Sequence, residues 1–202
     1  MVIITRKWAM ANGRTFKIRP IREFVEEAVQ EVDVCAGGVI IEPFANDSRY
    51  GTVTNDLNPK FSTDYHMDAL EFLKERSEEE ADLVLYDPPY SLNQAVQMYK
   101  SFGKEKLKPG VGNMVYWAKC KDEVARITKF GGVVLSFGWG TNGMGEMRGF
   151  VKEKILIVAH GGSRNDTLCV RERKVEHYQP RGKALKRSGK ASESTSATAK
   201  EQ

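Results

Sequence analysis

The 202-residue chain is poor in the residue types that mark metal centres and extracellular folds. Its three cysteines, Cys35, Cys120 and Cys169, are odd in number, far apart and without a CxxC pair. That argues against a zinc site or a disulfide framework and for reduced, buried thiols. The three histidines, His66, His160 and His177, have no ligand spacing between them, so no metal is expected. No stretch approaches the roughly 20 apolar residues of a membrane span, and residues 1–8 lack the long apolar run of a signal peptide. A cytoplasmic protein without a membrane partner is expected. With 41% hydrophobic and 29% charged residues, the chain has the composition of one globular domain with a real core, which excludes two large domains.

Acidic charge is scarce only at one end. Residues 171–202 hold nine Lys/Arg against four Asp/Glu, leaving 22 basic and 23 acidic side chains in 1–170, so the net charge of +4 resides in the tail. From Arg181 onward the chain has no aromatic and no β-branched aliphatic residue, so it cannot bury enough apolar surface to offset the entropy of ordering. The expected organisation is one folded domain over 1–180 and a basic, disordered tail over 181–202. The tail either adds salt-sensitive phosphate contacts or simply aids solubility.

Within the body, short apolar runs alternate with amphipathic ones, the pattern of a mostly parallel sheet covered by helices. Apolar residues at helical spacing predict helices over 21–32, 68–76 and 122–129. Strands are predicted over 37–41, 52–54, 81–86, 133–137 and 153–160, with a further one before Tyr65 and 167–172 returning antiparallel. Gly131-Gly132 reads as a turn and 138–145 as a glycine-rich loop. In open α/β sheets ligands bind beyond the carboxyl ends of the strands, where each unusual loop of this chain falls.

The sharpest feature is Asp87-Pro88-Pro89-Tyr90 at the end of an apolar strand. Two consecutive prolines lack N–H groups and fix φ near −65°, so the backbone is rigid there. A carboxylate, a free carbonyl and an aromatic ring on such an exit suit a planar amine. The Asp87 side chain and the Pro88 carbonyl accept from its two N–H groups while Tyr90 stacks on its ring. The competing reading is a tight proline turn with a capping Asp and a core Tyr. Glu42-Pro43-Phe44-Ala45-Asn46, Asn55-Asp56-Leu57-Asn58-Pro59 and Tyr65-His66-Met67-Asp68-Ala69 follow successive strands, as expected when a nucleoside cofactor lies across strand ends.

These residues resemble the S-adenosylmethionine-dependent DNA N6-adenine methyltransferases of the DPPY type, particularly small phage and prophage adenine methylases, over roughly residues 15–172. The resemblance implies a Rossmann-like class I methyltransferase fold, α/β, mostly parallel, with helices on both faces. It implies S-adenosylmethionine as cofactor, with Asp87, Pro88, Pro89 and Tyr90 holding the target base. Lys17 and Pro20, in the segment before the first strand, and Pro43, Phe44, Ala45 and Asn46 would border its methionine end. Asp56 would bind its ribose, and Asp68 with Ala69 its adenine. One departure is the first loop, where the family commonly has Gly-x-Gly. Here Glu42-Pro43-Phe44-Ala45-Asn46-Asp47-Ser48 has no glycine before Gly51, although Asn and Asp tolerate left-handed geometry.

Trp139 and Asn142 are expected to form the opposite wall of a base pocket, and Arg164 to touch a phosphate. The interleaved basic and aromatic residues Lys100, Lys104, Lys106, Lys108, Tyr116, Trp117, Lys119 and Lys121 suggest a nucleic-acid-facing element, too short for full sequence recognition. A homodimer or a separate specificity partner would supply the rest. The partner is DNA, with a flipped-out adenine if the substrate is duplex. The alternatives are an RNA methyltransferase acting on adenine N6 or guanine N2, and a non-catalytic nucleic-acid-binding protein with a decayed cofactor loop.

Overall fold

A computed structural model describes residues 1–103, 111–162 and 164–177. The expected disordered tail at 181–202 lies outside the described residues, as do Lys104, Lys106 and Lys108. The elements run in the order β1 (Ile3–Trp8), α1 (Arg19–Val29), β2 (Ile40–Glu42), β3 (Val53–Thr54), α2 (Ala69–Lys74), β4 (Ala81–Tyr86), α3 (Leu92–Ser101), α4 (Met114–Ile127), β5 (Thr128–Gly138), β6 (Phe150–Ala159) and β7 (Thr167–Lys174). The strands form one sheet ordered β1-β6-β7-β5-β4-β2-β3. The pairs β2·β3, β2·β4, β4·β5 and β1·β6 are parallel, and β7 runs antiparallel between β5 and β6. This is the mostly parallel Rossmann-like sheet that the αβ alternation predicts.

Side-chain alternation along each strand feeds two separate cores. On β4, Leu83 and Leu85 face one side with Ile40, Val133, Leu135 and Phe137, where α1 packs Ile21, Phe24, Val25 and Ala28. Val84 and Tyr86 face the other with Ile41 and Val134, where Phe72 and Leu73 of α2, Ala95 and Tyr99 of α3, and Tyr116, Cys120 and Val124 of α4 pack. Pro20, in the first turn of α1, starts that helix with its φ preset and is itself buried. Helices therefore cover both faces.

Several expectations needed correction. The helix predicted over 122–129 begins at Met114, because the Asn113 side chain caps it by accepting from the Val115 N–H at 2.8 Å, and it ends at Ile127. Gly131-Gly132 is not a turn. Here β5 runs through, with a bulge in which the step from Ala81 to Leu83 is matched by Thr128 to Val133. Gly131 takes φ 79°, and a Cβ on Gly132 would lie 2.9 Å from the Lys129 carbonyl. No strand precedes Tyr65: the chain there makes a single parallel bridge to Asn55, and Asp64 accepts from the Thr54 N–H and hydroxyl at 2.8 Å each. Two elements were unforeseen. The β1 strand carries Ile3, Ile4 and Trp8 exposed on the sheet edge, and its residues are too polar and too solvated to read as buried. The α3 helix is capped by the Ser91 side chain, which accepts from the Gln94 N–H at 3.2 Å. Cys120 and Cys169 are buried as expected, but Cys35 is exposed.

The parallel strands point the loops after β1, β2, β3, β4, β5 and β6 to one rim. The face below α1 depends on a single helix among the described residues. Phe24→Ala should therefore cost about 3–5 kcal/mol, read as a lowered urea midpoint with unchanged slope. A midpoint within experimental error of the wild type would show that α1 is not needed to hold that face.

Candidate active site

The exit of β4 is held from three sides. Asp87 Oδ1 accepts from the Tyr90 hydroxyl at 2.7 Å, and that hydroxyl lies 3.3 Å from Thr15 Oγ1 in the segment after β1. The Tyr90 N–H donates to Gln94 Oε1 at 2.7 Å, which fixes the turn to the first turn of α3. Recessed among protein atoms, the Asp87 carboxyl is pushed up to about 6, with the Tyr90 hydroxyl bond opposing the shift. Burial, followed by the Asp87 charge, drives the Tyr90 phenol far above its ordinary value, so Tyr90 is the donor in this pair. Its ring also meets Trp139 edge to face at 6.0 Å.

The loop after β2 is built without the family's glycines. Asn46 adopts φ 53°, the left-handed conformation that the sequence allowed it, and its N–H donates to Asp56 Oδ2 at 2.9 Å. Asp56 Oδ1 accepts from the Asn58 N–H at 2.8 Å, so one carboxylate ties two strand-end loops together. Asp47 pairs with Arg14 and, at 3.1 Å, with Lys17, joining this loop to the segment before α1. Glu42 is fully buried beneath the loop, accepts from the Ser48 hydroxyl at 2.9 Å, and leaves Oε2 without a partner. Burial pushes it up to about 7, against the Ser48 bond.

Three cavities open along the rim. A cleft of about 910 Å³ brings together Lys17, Phe44, Ala45, Asn46 and Asp56 with Asp87, Pro88, Pro89 and Tyr90, and reaches Trp139 and Arg164. A second, of about 360 Å³, lies against Pro88, Pro89, Tyr90, Trp139 and Asn142. A small one of about 50 Å³ is lined by Pro43, Phe44, Asp56, Asp68 and Ala69. Pro20 lines none of these three. Asp68 caps α2, accepting from the Leu70 and Glu71 N–H groups at 3.2 and 3.4 Å, and also accepts from the Tyr116 hydroxyl at 3.0 Å. The Tyr116 and Trp117 pair does not face outward. Tyr116 is buried, and Trp117 packs between it and Phe44 at ring distances of 4.9 and 6.2 Å. Among the described residues no group of three or more His, Cys, Asp or Glu is placed to hold a metal ion.

Residues missed by sequence reasoning hold the glycine loop. Glu172, fully buried on β7, accepts from the Met144 N–H at 2.5 Å and the Gly145 N–H at 3.1 Å. Lys121 donates to the Gly143 carbonyl at 2.6 Å. Gly143 has φ 52°, and a Cβ there would strike the Glu172 carboxylate. The sequence signal was weak, because Glu172 sits in the charged run Arg171-Glu172-Arg173-Lys174 at the end of β7. His160 likewise bridges the Ala9 carbonyl and the Thr167 hydroxyl at 2.9 Å each, tying the β1 exit to the β6–β7 hairpin.

Glu42 supplies a pH test. A carboxyl whose folded value is raised binds its proton more tightly folded than unfolded, so its stabilisation holds below its ordinary value of 4.5 and is lost as pH rises through about 7. Glu42→Gln should flatten the fall in melting temperature between pH 4.5 and 7. An unchanged pH profile would mean that Glu42 is solvated.

No family model matches the sequence, and no curated protein matches it. Solved structures that the chain is similar to include the N-methyltransferase NodS from Bradyrhizobium japonicum WM9, at 13% identity and a TM-score of 0.46, covering 78% of this chain and 98% of that one. Another is the 1,6-didemethyltoxoflavin-N1-methyltransferase of Burkholderia thailandensis with bound 1,6-didemethyltoxoflavin and S-adenosylhomocysteine, at 10% identity and a TM-score of 0.46, covering 74% of this chain and 77% of that one.

Proposed function

We propose that the chain transfers a methyl group from S-adenosylmethionine to the N6 amine of adenine in DNA. The observation that carries this reading is a shared wall. Pro88, Pro89, Tyr90 and Trp139 border both the 910 Å³ and the 360 Å³ clefts, so one rigid strand exit separates two cavities of small-molecule size. That is what a two-substrate group transfer needs: a donor on one side, an acceptor on the other, and no freedom between them.

The larger cleft fits the cofactor. Asn46 Oδ1, on its lining, is buried and has no partner, which suits an arriving hydroxyl or ammonium donor. Each Asp56 oxygen accepts one backbone N–H and retains acceptor capacity for a ribose hydroxyl. Arg14 and Lys17 provide cations for a carboxylate, and Phe16 and Phe44 provide apolar contact. When bound, S-adenosylmethionine supplies a methyl group already activated on a sulfonium, so the protein need only position and orient.

Asp87 performs the orienting. Its carboxylate and the Pro88 carbonyl accept the two N–H groups of the acceptor amine, which directs the nitrogen lone pair out of the ring plane. Tyr90 and Trp139 bound the ring. Arg49 and Arg164 line the cleft without an ion-pair partner among the described residues, which supports a polyanionic substrate whose phosphates they meet. The DPPY resemblance supports adenine in DNA among planar amines.

The test is transfer of labelled methyl to duplex DNA, single-stranded DNA and RNA, followed by nucleoside identification. N6-methyladenine in DNA is expected, with Asp87→Ala lowering turnover by at least a hundredfold at nearly unchanged cofactor affinity and Asp56→Ala weakening cofactor binding. Because the ionised Asp87 carboxylate accepts hydrogen bonds through both oxygens and more strongly than the neutral acid, kcat/KM should rise with pH through about 6 and then level off. Wild-type turnover in Asp87→Ala would remove the site assignment. Label in RNA alone would move the reading to RNA, and no cofactor binding by calorimetry would leave a non-catalytic binding module.

A further inference from the structure

The 360 Å³ cleft has a floor that the DPPY segment does not supply. Tyr86, the last residue of β4, and Ser136 of β5 are register partners across the parallel ladder. Both line this cleft, and both are more than nine-tenths buried, at 2% and 8% exposure. Neither the Tyr86 hydroxyl nor Ser136 Oγ has a hydrogen-bond partner among the described residues. Buried hydroxyls are nearly always paired, and two unpaired ones on register-partner residues that line one cavity point to a polar group within that cavity as their partner. The surrounding walls are flat: Pro88, Pro89, Trp117 and Trp139.

We propose that the Tyr86 and Ser136 hydroxyls read the acceptor in this cleft, each donating a hydrogen bond to a ring nitrogen or carbonyl oxygen of a planar heteroaromatic base. The inference rests on the methyl-transfer reading, which makes this cleft the acceptor side, and it deepens that reading by naming what selects the acceptor. The chemistry is one-sided. An aliphatic amine offers the hydroxyls no second acceptor and leaves both unpaired, whereas a base edge satisfies them. A site with buried groups that must be paired discriminates more strongly than an apolar pocket of the same shape. Ser136 and Tyr86 are therefore specificity-determining, while Asp87 orients the reacting amine.

Removing either hydroxyl keeps the shape of the cleft, so Tyr86→Phe and Ser136→Ala are expected to fold with melting temperatures no lower than the wild type. With S-adenosylhomocysteine saturating the larger cleft, calorimetric titration with deoxyadenosine and with its 1-deaza and 7-deaza analogues gives the readout. Each variant should bind deoxyadenosine about five- to tenfold more weakly at unchanged affinity for S-adenosylhomocysteine. One of the deaza analogues should show the same loss in the wild type and no further loss in the variant that has lost its partner hydroxyl. Wild-type deoxyadenosine affinity in both variants would overturn the proposal. So would a wild type that holds S-adenosylhomocysteine but no nucleoside. A wild type that binds nucleoside but not S-adenosylhomocysteine would overturn methyl transfer alone, and the loss in the two variants would still uphold the hydroxyls as the reading groups.

Discussion

Pro88 and Pro89 take the backbone off β4 with no N–H to offer and almost no freedom in φ, and the geometry of the rim follows from that. Because the chain cannot continue as strand, Asp87 is the last residue whose side chain the sheet aims. Because it cannot relax, Tyr90 arrives close enough for its hydroxyl to reach back to the Asp87 carboxylate at 2.7 Å. The same rigid exit delivers Tyr90 N–H to Gln94 and Ser91 to the cap of α3, so the helix beyond begins at a defined place. A flexible residue at 88 or 89 would loosen the wall between both clefts at once.

Around this exit the protein uses one device repeatedly. Buried carboxylates gather the backbone N–H groups of the loops and helix starts at the rim. Asp56 holds the Asn46 and Asn58 N–H groups, Asp68 the start of α2, and Glu172 the Met144 and Gly145 N–H groups. Burial raises Asp56 and Glu172 from their ordinary values, and the backbone bonds they receive oppose that rise. The absence of Gly-x-Gly after β2 is thus compensated within the loop. Asn46 takes the left-handed step, and Asp56 fixes it from the neighbouring strand.

Much of this was legible in the residues. Alternating apolar runs predicted the parallel strands, and the proline pair predicted the rigid strand exit on which the candidate site is built, because both are local signals with a direct backbone cause. The edge strand β1 was not legible, since its neighbours are Lys154 to Ala159, some 150 positions away, and five of its six residues are exposed. Nor was Glu172 legible as the support of the glycine loop, because an acid between Arg171 and Arg173 reads as part of a solvated charged run until its partners, the Met144 and Gly145 N–H groups, are seen. Asp68, expected at a cofactor, is engaged by the α2 cap and Tyr116. Sequence alone could not separate those roles, because capping and ligand binding use the same carboxylate lone pairs.

The pairing of β1 with β6 also sets an order of assembly. Residues 3–8 are made well before β6, which is their ladder partner among the described residues. Contacts of such high sequence separation carry the largest loop-closure entropy and form late. The segment that follows β1 contributes Arg14, Thr15 and Lys17 to the large cleft and is moored by the contact of His160 with Ala9. During synthesis, then, the α/β body can consolidate with an open rim. The cleft gains its final wall only when β1 and the segment after it close onto the β6–β7 hairpin.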